Sequence, residues 1–385
     1  MDHAVDTALV MAAAAGAALA WYGPGLIGFA PVALLCWTFA RSRRGAFMVA
    51  WAYYVVTYAC LPGTLEGFFH GRGPLFAWGA VAVLVLVLAA LWAALWSRSP
   101  SWWRAPLLLA LLILPPFGLA HLWNPLFGLA AWFPGLGLVA LLAFAAVLAL
   151  APKSPRASVA LAGLVAVGAH AWEVPGEAPP GWIGHDTAVS TSGYEPPPAS
   201  SNTELRQWAE VEAMIADAQA GSARVVVYPE LHLGSVADPS LGFFNRQWAQ
   251  LAGQGKTIVT GLAVMAEDGN ANLLAGYGAA PFQWRQRIPA PAAMWRPWDA
   301  SRNYPMRWGG GQVAHVAGLR TTIAICFEAG LLWPLVASEF GRPEAYIAVG
   351  NLSWGRATNL NRQGRAAAAA WARLAGLPVI IAVNN

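Results

Sequence analysis

Charge is what this chain lacks. Only 11% of its 385 residues are Asp, Glu, Lys or Arg, while 57% are hydrophobic. A soluble globular protein carries about 25% charged residues, so a wholly soluble protein is excluded. Lysine is nearly absent, at Lys153 and Lys256 alone, and no run of five like charges exists. That removes the basic tract a direct nucleic-acid partner would need. Three cysteines, Cys36, Cys60 and Cys326, are too few for a disulfide framework. CxxC and HxxxH spacings are missing, so no metal and no cofactor are expected.

What charge there is lies in the second half. Residues 1–172 hold eight Lys/Arg and three acids, Asp2, Asp6 and Glu66. Apolar runs at 7–22, 24–40, 46–62, 75–96, 105–123, 126–151 and 157–172 predict about seven membrane spans. The acids near Met1 argue against a cleaved signal peptide. Arg41, Arg43 and Arg44 follow run two, Arg98 and Arg104 run four, and Lys153 and Arg156 run six. Only Arg72 falls in an odd-numbered loop. The basic side is cytoplasmic, which predicts a multi-pass protein of the bacterial inner membrane with its C-terminal domain in the periplasm. Glu66, His70, His121 and His170 are polar residues near run ends, where interfacial placement is the simplest expectation. No run carries the central charged pair of a transporter.

The predicted division is a helical bundle at 1–173, a Pro/Ser-rich lead-in at 174–202 and an α/β domain at 203–385. An amphipathic helix is expected near 203–220, from Leu205, Trp208, Val211 and Ile215. Short β-branched runs alternating with helical patterns then argue for layered α/β structure. Two of those strands end in chemistry. Val225-Val226-Val227-Tyr228-Pro229 leads to Glu230, and Thr321-Thr322-Ile323-Ala324-Ile325 leads to Cys326 and then Glu328. Sites in α/β sheets form at the carboxyl ends of strands. A thiol there with a carboxylate base is a candidate acyl-accepting nucleophile. Singly, each has a bland alternative: an inert buried thiol for Cys326, a helix cap for Glu230.

Around Pro229-Glu230 and Cys326-Phe327-Glu328 the chain resembles the nitrilase (carbon–nitrogen hydrolase) superfamily, whose sites use Glu, Lys and Cys in that order. A membrane bundle ahead of such a domain is similar to the apolipoprotein N-acyltransferases, as are Gly28-Phe29-Ala30-Pro31 and Arg41-Ser42-Arg43-Arg44. The shortened form most resembles the conjugal-transfer TraB family. The resemblance implies an αββα nitrilase-like domain, shortened at its C-terminus, with Glu230 and Cys326 as catalytic residues. Glu328 and Asn351 would support them. It implies thioester acyl transfer as in the N-acyltransferases, with the lipid bilayer, a phospholipid or lipoprotein-like acyl substrate and the conjugation machinery as partners.

The departures are specific. Trp284-Arg285-Gln286-Arg287-Ile288-Pro289 puts Gln286 at the family's lysine and Met294 at a further glutamate of the acyltransferases. In an extended strand Arg285 and Arg287 would share the face opposite Gln286, and a one-residue shift would turn Arg287 inward to supply the missing charge. Lys256 belongs to another segment and is no substitute. Asn351-Leu352-Ser353-Trp354-Gly355 lacks the central pair of the corresponding family run. The alternative from another class is therefore a catalytically silent nitrilase-fold membrane protein acting in assembly of plasmid transfer.

Overall fold

The structure, a computed structural model, describes all residues except 1, 70–72, 99–101, 172–173, 175, 188–200, 267–268, 309–311, 356–357 and 385. His70, Arg72 and Pro196-Pro197-Pro198 lie outside the described residues. Two compact units result: residues 1–175 with 330–336 and 357–377, and residues 176–329 with 337–356 and 378–385.

In the first unit the helices are α1 (Asp2–Tyr22), α2 (Val32–Phe39), α3 (Arg43–Thr57), α4 (Leu61–Phe68), α5 (Pro74–Leu95), α6 (Arg104–Ile113), α7 (Leu129–Trp132), α8 (Leu138–Leu150) and α9 (Pro155–His170). Among the described residues only α1 and α5 are long and apolar enough to cross a membrane, with α3 and α4 a third span if their 50° bend is counted through. The apolar runs are longer than the helices because proline interrupts them. Run 105–123 holds α6, whose ten residues extend about 15 Å, half of a hydrocarbon core, before Pro115-Pro116. The α3–α4 bend falls just ahead of Pro62, whose ring excludes the preceding helical turn.

Asp6 is buried in this unit, and so is His121, for which the sequence predicts an interfacial place. Asp6 accepts from the Arg41 amide and the Ser42 hydroxyl, both at 2.7 Å, at the start of α3. His121 is fully buried beside Tyr54, its Nδ1 2.8 Å from the Phe117 carbonyl. Glu66 and His170 are exposed.

The second unit is built on two sheets. Strands β1 (Trp182–Gly184), β2 (Val225–Val227), β3 (Thr257–Ala266), β4 (Gly269–Gly278) and β5 (Phe282–Arg285) follow one another across the first. The second is β6 (Ala314–Val316), β7 (Leu319–Ile325), β8 (Ala345–Asn351) and β9 (Val379–Asn384). The helices of this half are α10 (Ser201–Ala220), α11 (Asn245–Gly253), α12 (Leu332–Glu339) and α13 (Leu360–Ala375); α13 and the start of α12 belong to the first unit.

Strand alternation sorts the core. Val225 and Val227 join Val259, Leu274, Ile323, Ile325, Ile347 and Val349 between the sheets, while Val226 and Tyr228 face α10 and α11 with Met214, Trp248 and Leu251. Strands β1, β2 and β3 are parallel, as are β7, β8 and β9. Their carboxyl ends therefore gather Glu230, Cys326 and Asn351. Lys256 caps α10, its Nζ donating to the Ala218, Gln219 and Gly221 carbonyls at 2.7, 3.1 and 2.8 Å.

Candidate active site

The chain turns sharply after β2, with Leu231 at φ 53° and the backbone lying against β3. A Cβ at Gly261 would come 2.5 Å from the Glu230 Cα, so this approach needs glycine. Glu230 is fully buried. Its Oε1 accepts from Asn272 Nδ2 at 2.6 Å and its Oε2 from the Asn351 amide at 2.7 Å. Both bonds fix the carboxylate from neutral N–H donors on the two sheets.

Cys326 begins the turn after β7 with φ 54°, a left-handed backbone that costs a side-chain-bearing residue on the order of 1–3 kcal/mol. It is half-buried, unlike Cys36 and Cys60. A strained strand-to-turn corner that lifts a nucleophile out of a sheet is a known device in hydrolases.

Gln286 joins these two elements. Its Nε2 donates to the Ile325 carbonyl at 2.9 Å and its Oε1 accepts from Asn272 Nδ2 at 3.1 Å. A continuous path thus runs Glu230–Asn272–Gln286–Ile325 to the residue before the thiol. Strand β5 ends at Arg285, so the expected alternation stops there: Gln286 and Arg287 are both buried. Arg287 does turn inward, but onto the Ser338 hydroxyl and the Ile323 carbonyl, both at 3.0 Å, with Glu328 Oε1 3.5 Å from its Nε. Glu328 also accepts from the amides of Arg287, Ile288 and Ile325 at 2.6, 2.9 and 3.0 Å. This pair braces β5 against β7. Arg285 reaches the Asn270 carbonyl at 3.3 Å, and Met294 is buried in the loop beyond.

Asn351 holds the turn that follows it, its Oδ1 accepting from Ser353 Oγ at 2.9 Å and Asn384 Nδ2 at 3.2 Å. Burial, then the nearby Glu230 charge, pushes the Tyr304 hydroxyl above its ordinary range; burial and Glu328 do the same to Tyr346, against a smaller opposing pull from Arg287. Asn272 and Tyr304 were missed by sequence reasoning. Asn272 did leave a signal: Asn270 and Asn272 alternate with Ala271 and Leu273, which places two amides on the inter-sheet face. Among the described residues no group of three or more His, Cys, Asp or Glu could hold a metal ion.

In the second unit an acid, an amide and a thiol thus stand in that chain order at the strand ends of two sheets. The chain belongs to the TraB family of conjugal transfer proteins. It is 32% identical to conjugal transfer protein TraB of Agrobacterium fabrum, over 98% of this chain and 92% of that protein. A probable conjugal transfer protein TraB of Sinorhizobium fredii is 28% identical, over 100% and 99%. No family model matches. Among solved structures, a carbon–nitrogen hydrolase from Helicobacter pylori G27 is similar over 52% of this chain and 72% of its own, with TM-score 0.35 and 12% identity. An amidase from Nesterenkonia sp. AN1 is similar over 45% and 67%, with TM-score 0.30 and 12% identity.

Proposed function

We propose that this protein is an inner-membrane component of plasmid transfer whose periplasmic unit carries out acyl transfer through a Cys326 thioester. The observation that carries the reading is Cys326 itself, a half-buried thiol held at φ 54° on a strand end, with Glu230 fixed in the same hydrogen-bonded frame. In the first step Glu230 takes the thiol proton and the sulfur attacks the acyl carbonyl. The bond to the leaving alcohol or amine breaks, and that group takes the proton back from Glu230. An amine or water then attacks the thioester, giving its proton to Glu230 and restoring the thiol. Asn272 and the Asn351 amide keep Glu230 oriented throughout.

The sidedness rests on the basic loops. With seven crossings by apolar runs, the basic loops after runs two, four and six are cytoplasmic and the C-terminal unit is periplasmic. Labelling of an introduced cysteine at Ser201 from the cytoplasmic side alone would overturn that placement.

One observation favours a silent scaffold instead: Gln286 is neutral, with its Oε1 and an Nε2 proton both engaged, and Arg287 is committed to Glu328. Plasmid transfer from donors carrying Cys326→Ala, at normal protein level, separates the readings. Acyl chemistry predicts a marked fall in transfer frequency; transfer at the wild-type frequency would leave only the scaffold.

A further inference from the structure

The loop that leaves Gln286 and Arg287 returns to them: the Arg307 amide donates to the Arg287 carbonyl at 2.8 Å, closing residues 288–306 into a single excursion. It is packed within itself, with Tyr304 N bonded to the Met294 carbonyl at 3.0 Å and both side chains buried. The β3–β4 hairpin supports it, the Asn270 amide donating to the Asn303 carbonyl at 2.9 Å and Asn270 Nδ2 to the Ser301 carbonyl at 3.2 Å. A loop this well tied at its base has no structural need to show large apolar side chains. Yet Trp298 is 70% exposed, Trp308, just past the closure, is 52% exposed, and Met265 near the hairpin tip is 76% exposed. Arg302 and Arg307 are exposed among them.

Exposed tryptophan with neighbouring arginine suits one environment above others, the headgroup layer of a bilayer. There the indole straddles the apolar boundary and the guanidinium meets lipid phosphate. We propose that the 288–308 loop is a docking surface for a phospholipid bilayer, a contact separate from the membrane-spanning helices. The first unit already carries helices long enough to cross a bilayer, so a bilayer is present at high effective concentration and two tryptophans suffice for a useful contact. Asp299 keeps its negative charge, its carboxylate accepting from Ser301 Oγ at 2.7 Å and lying within the field of Arg302, so it offsets part of the attraction. Glu267 and Asp268, between β3 and β4 in sequence, are acidic, so the attraction is assigned to Arg302 and Arg307 rather than to net charge. Single-stranded nucleic acid also takes tryptophan and arginine, and is one outcome of the test.

The test is hydroxyl-radical footprinting of the full chain, read by mass spectrometry, in bilayer nanodiscs of phosphatidylglycerol and phosphatidylcholine and in amphipol without lipid. The expected result is a several-fold drop in oxidation of Trp298 and Trp308 in nanodiscs, with exposed Phe243 unchanged. Arg302→Glu and Arg307→Glu should weaken the protection, by roughly fivefold per arginine in affinity for the anionic surface. Equal oxidation of both tryptophans in nanodiscs and amphipol would overturn the proposal. So would protection that appears only on adding single-stranded DNA. The same footprint is expected in Cys326→Ala, so it stands or falls apart from the acyl chemistry.

Discussion

Glu328 is the residue whose removal should cost the second unit most. Its carboxylate is fully buried and accepts from three backbone amides at 2.6, 2.9 and 3.0 Å, with Arg287 Nε at 3.5 Å. Glu328→Ala orphans those three donors and leaves a buried guanidinium without its counter-charge. Breaking a buried pair from one side costs about 3–5 kcal/mol, a large part of the roughly 5–15 kcal/mol that holds a domain together. Arg287→Met should cost less, because Glu328 keeps its three amides while Ser338 and the Ile323 carbonyl lose a donor. Combining Glu328→Leu with Arg287→Met should recover part of the Glu328→Ala loss, since no isolated charge remains. The full chain has two units, so global melting is a blunt readout. Hydrogen exchange over residues 282–288 and 319–326 reports the affected strands directly. Exchange in Glu328→Ala no faster than wild type, or costs for the double variant equal to the sum of the singles, would refute the bracing role.

Other outcomes follow from single residues. Cys326→Gly should be more stable than Cys326→Ala by about 1 kcal/mol, because only glycine adopts φ 54° without strain; chemical denaturation of the two variants checks it. Gln286→Lys should place an ammonium beside Asn272 and Glu230 and raise the alkylation rate of Cys326 near neutral pH, as a nearby cation lowers a thiol's pKa; an unchanged rate would mean that position 286 does not reach the sulfur. Burial lowers His232 to about 4, so its unfolded form binds the proton first and stability should fall as pH drops from about 6.5 toward 4. That loss approaches 3 kcal/mol and should vanish in His232→Phe. Glu339, raised to about 7 by burial, has the opposite sign: stability should fall as pH rises from about 4.5 to 7, and Glu339→Gln should flatten that limb. Both are read from denaturation midpoints across pH.

How much the sequence disclosed depended on whether a signal was local. Strands β2 and β7 were legible because β-branched runs end abruptly at Pro229 and Cys326, and that same ending pointed to Glu230 and Cys326. Strands β1 and β5 were not, being short and carrying Gly184, Gln283 and Arg285 within or at the end of their runs. Among the described residues fewer helices than apolar runs are long enough to cross a membrane, because composition measures the length of an apolar run, whereas proline decides how much of it is one helix. The direction of Arg287 depended on where β5 stops, a tertiary fact set by Glu328 reaching three amides across the sheets. Asn272 was readable in principle from its alternation in β4, but its role needed Glu230 and Gln286 on either side of it.

The thiol chemistry is tested most directly by mass spectrometry of the Cys326 peptide from membranes of cells expressing the full chain. An acyl adduct on Cys326 that hydroxylamine removes, and that is lost or greatly reduced in Glu230→Gln, is the predicted result. An unmodified Cys326 in every preparation, including protein trapped during plasmid transfer, would contradict acyl transfer at this site.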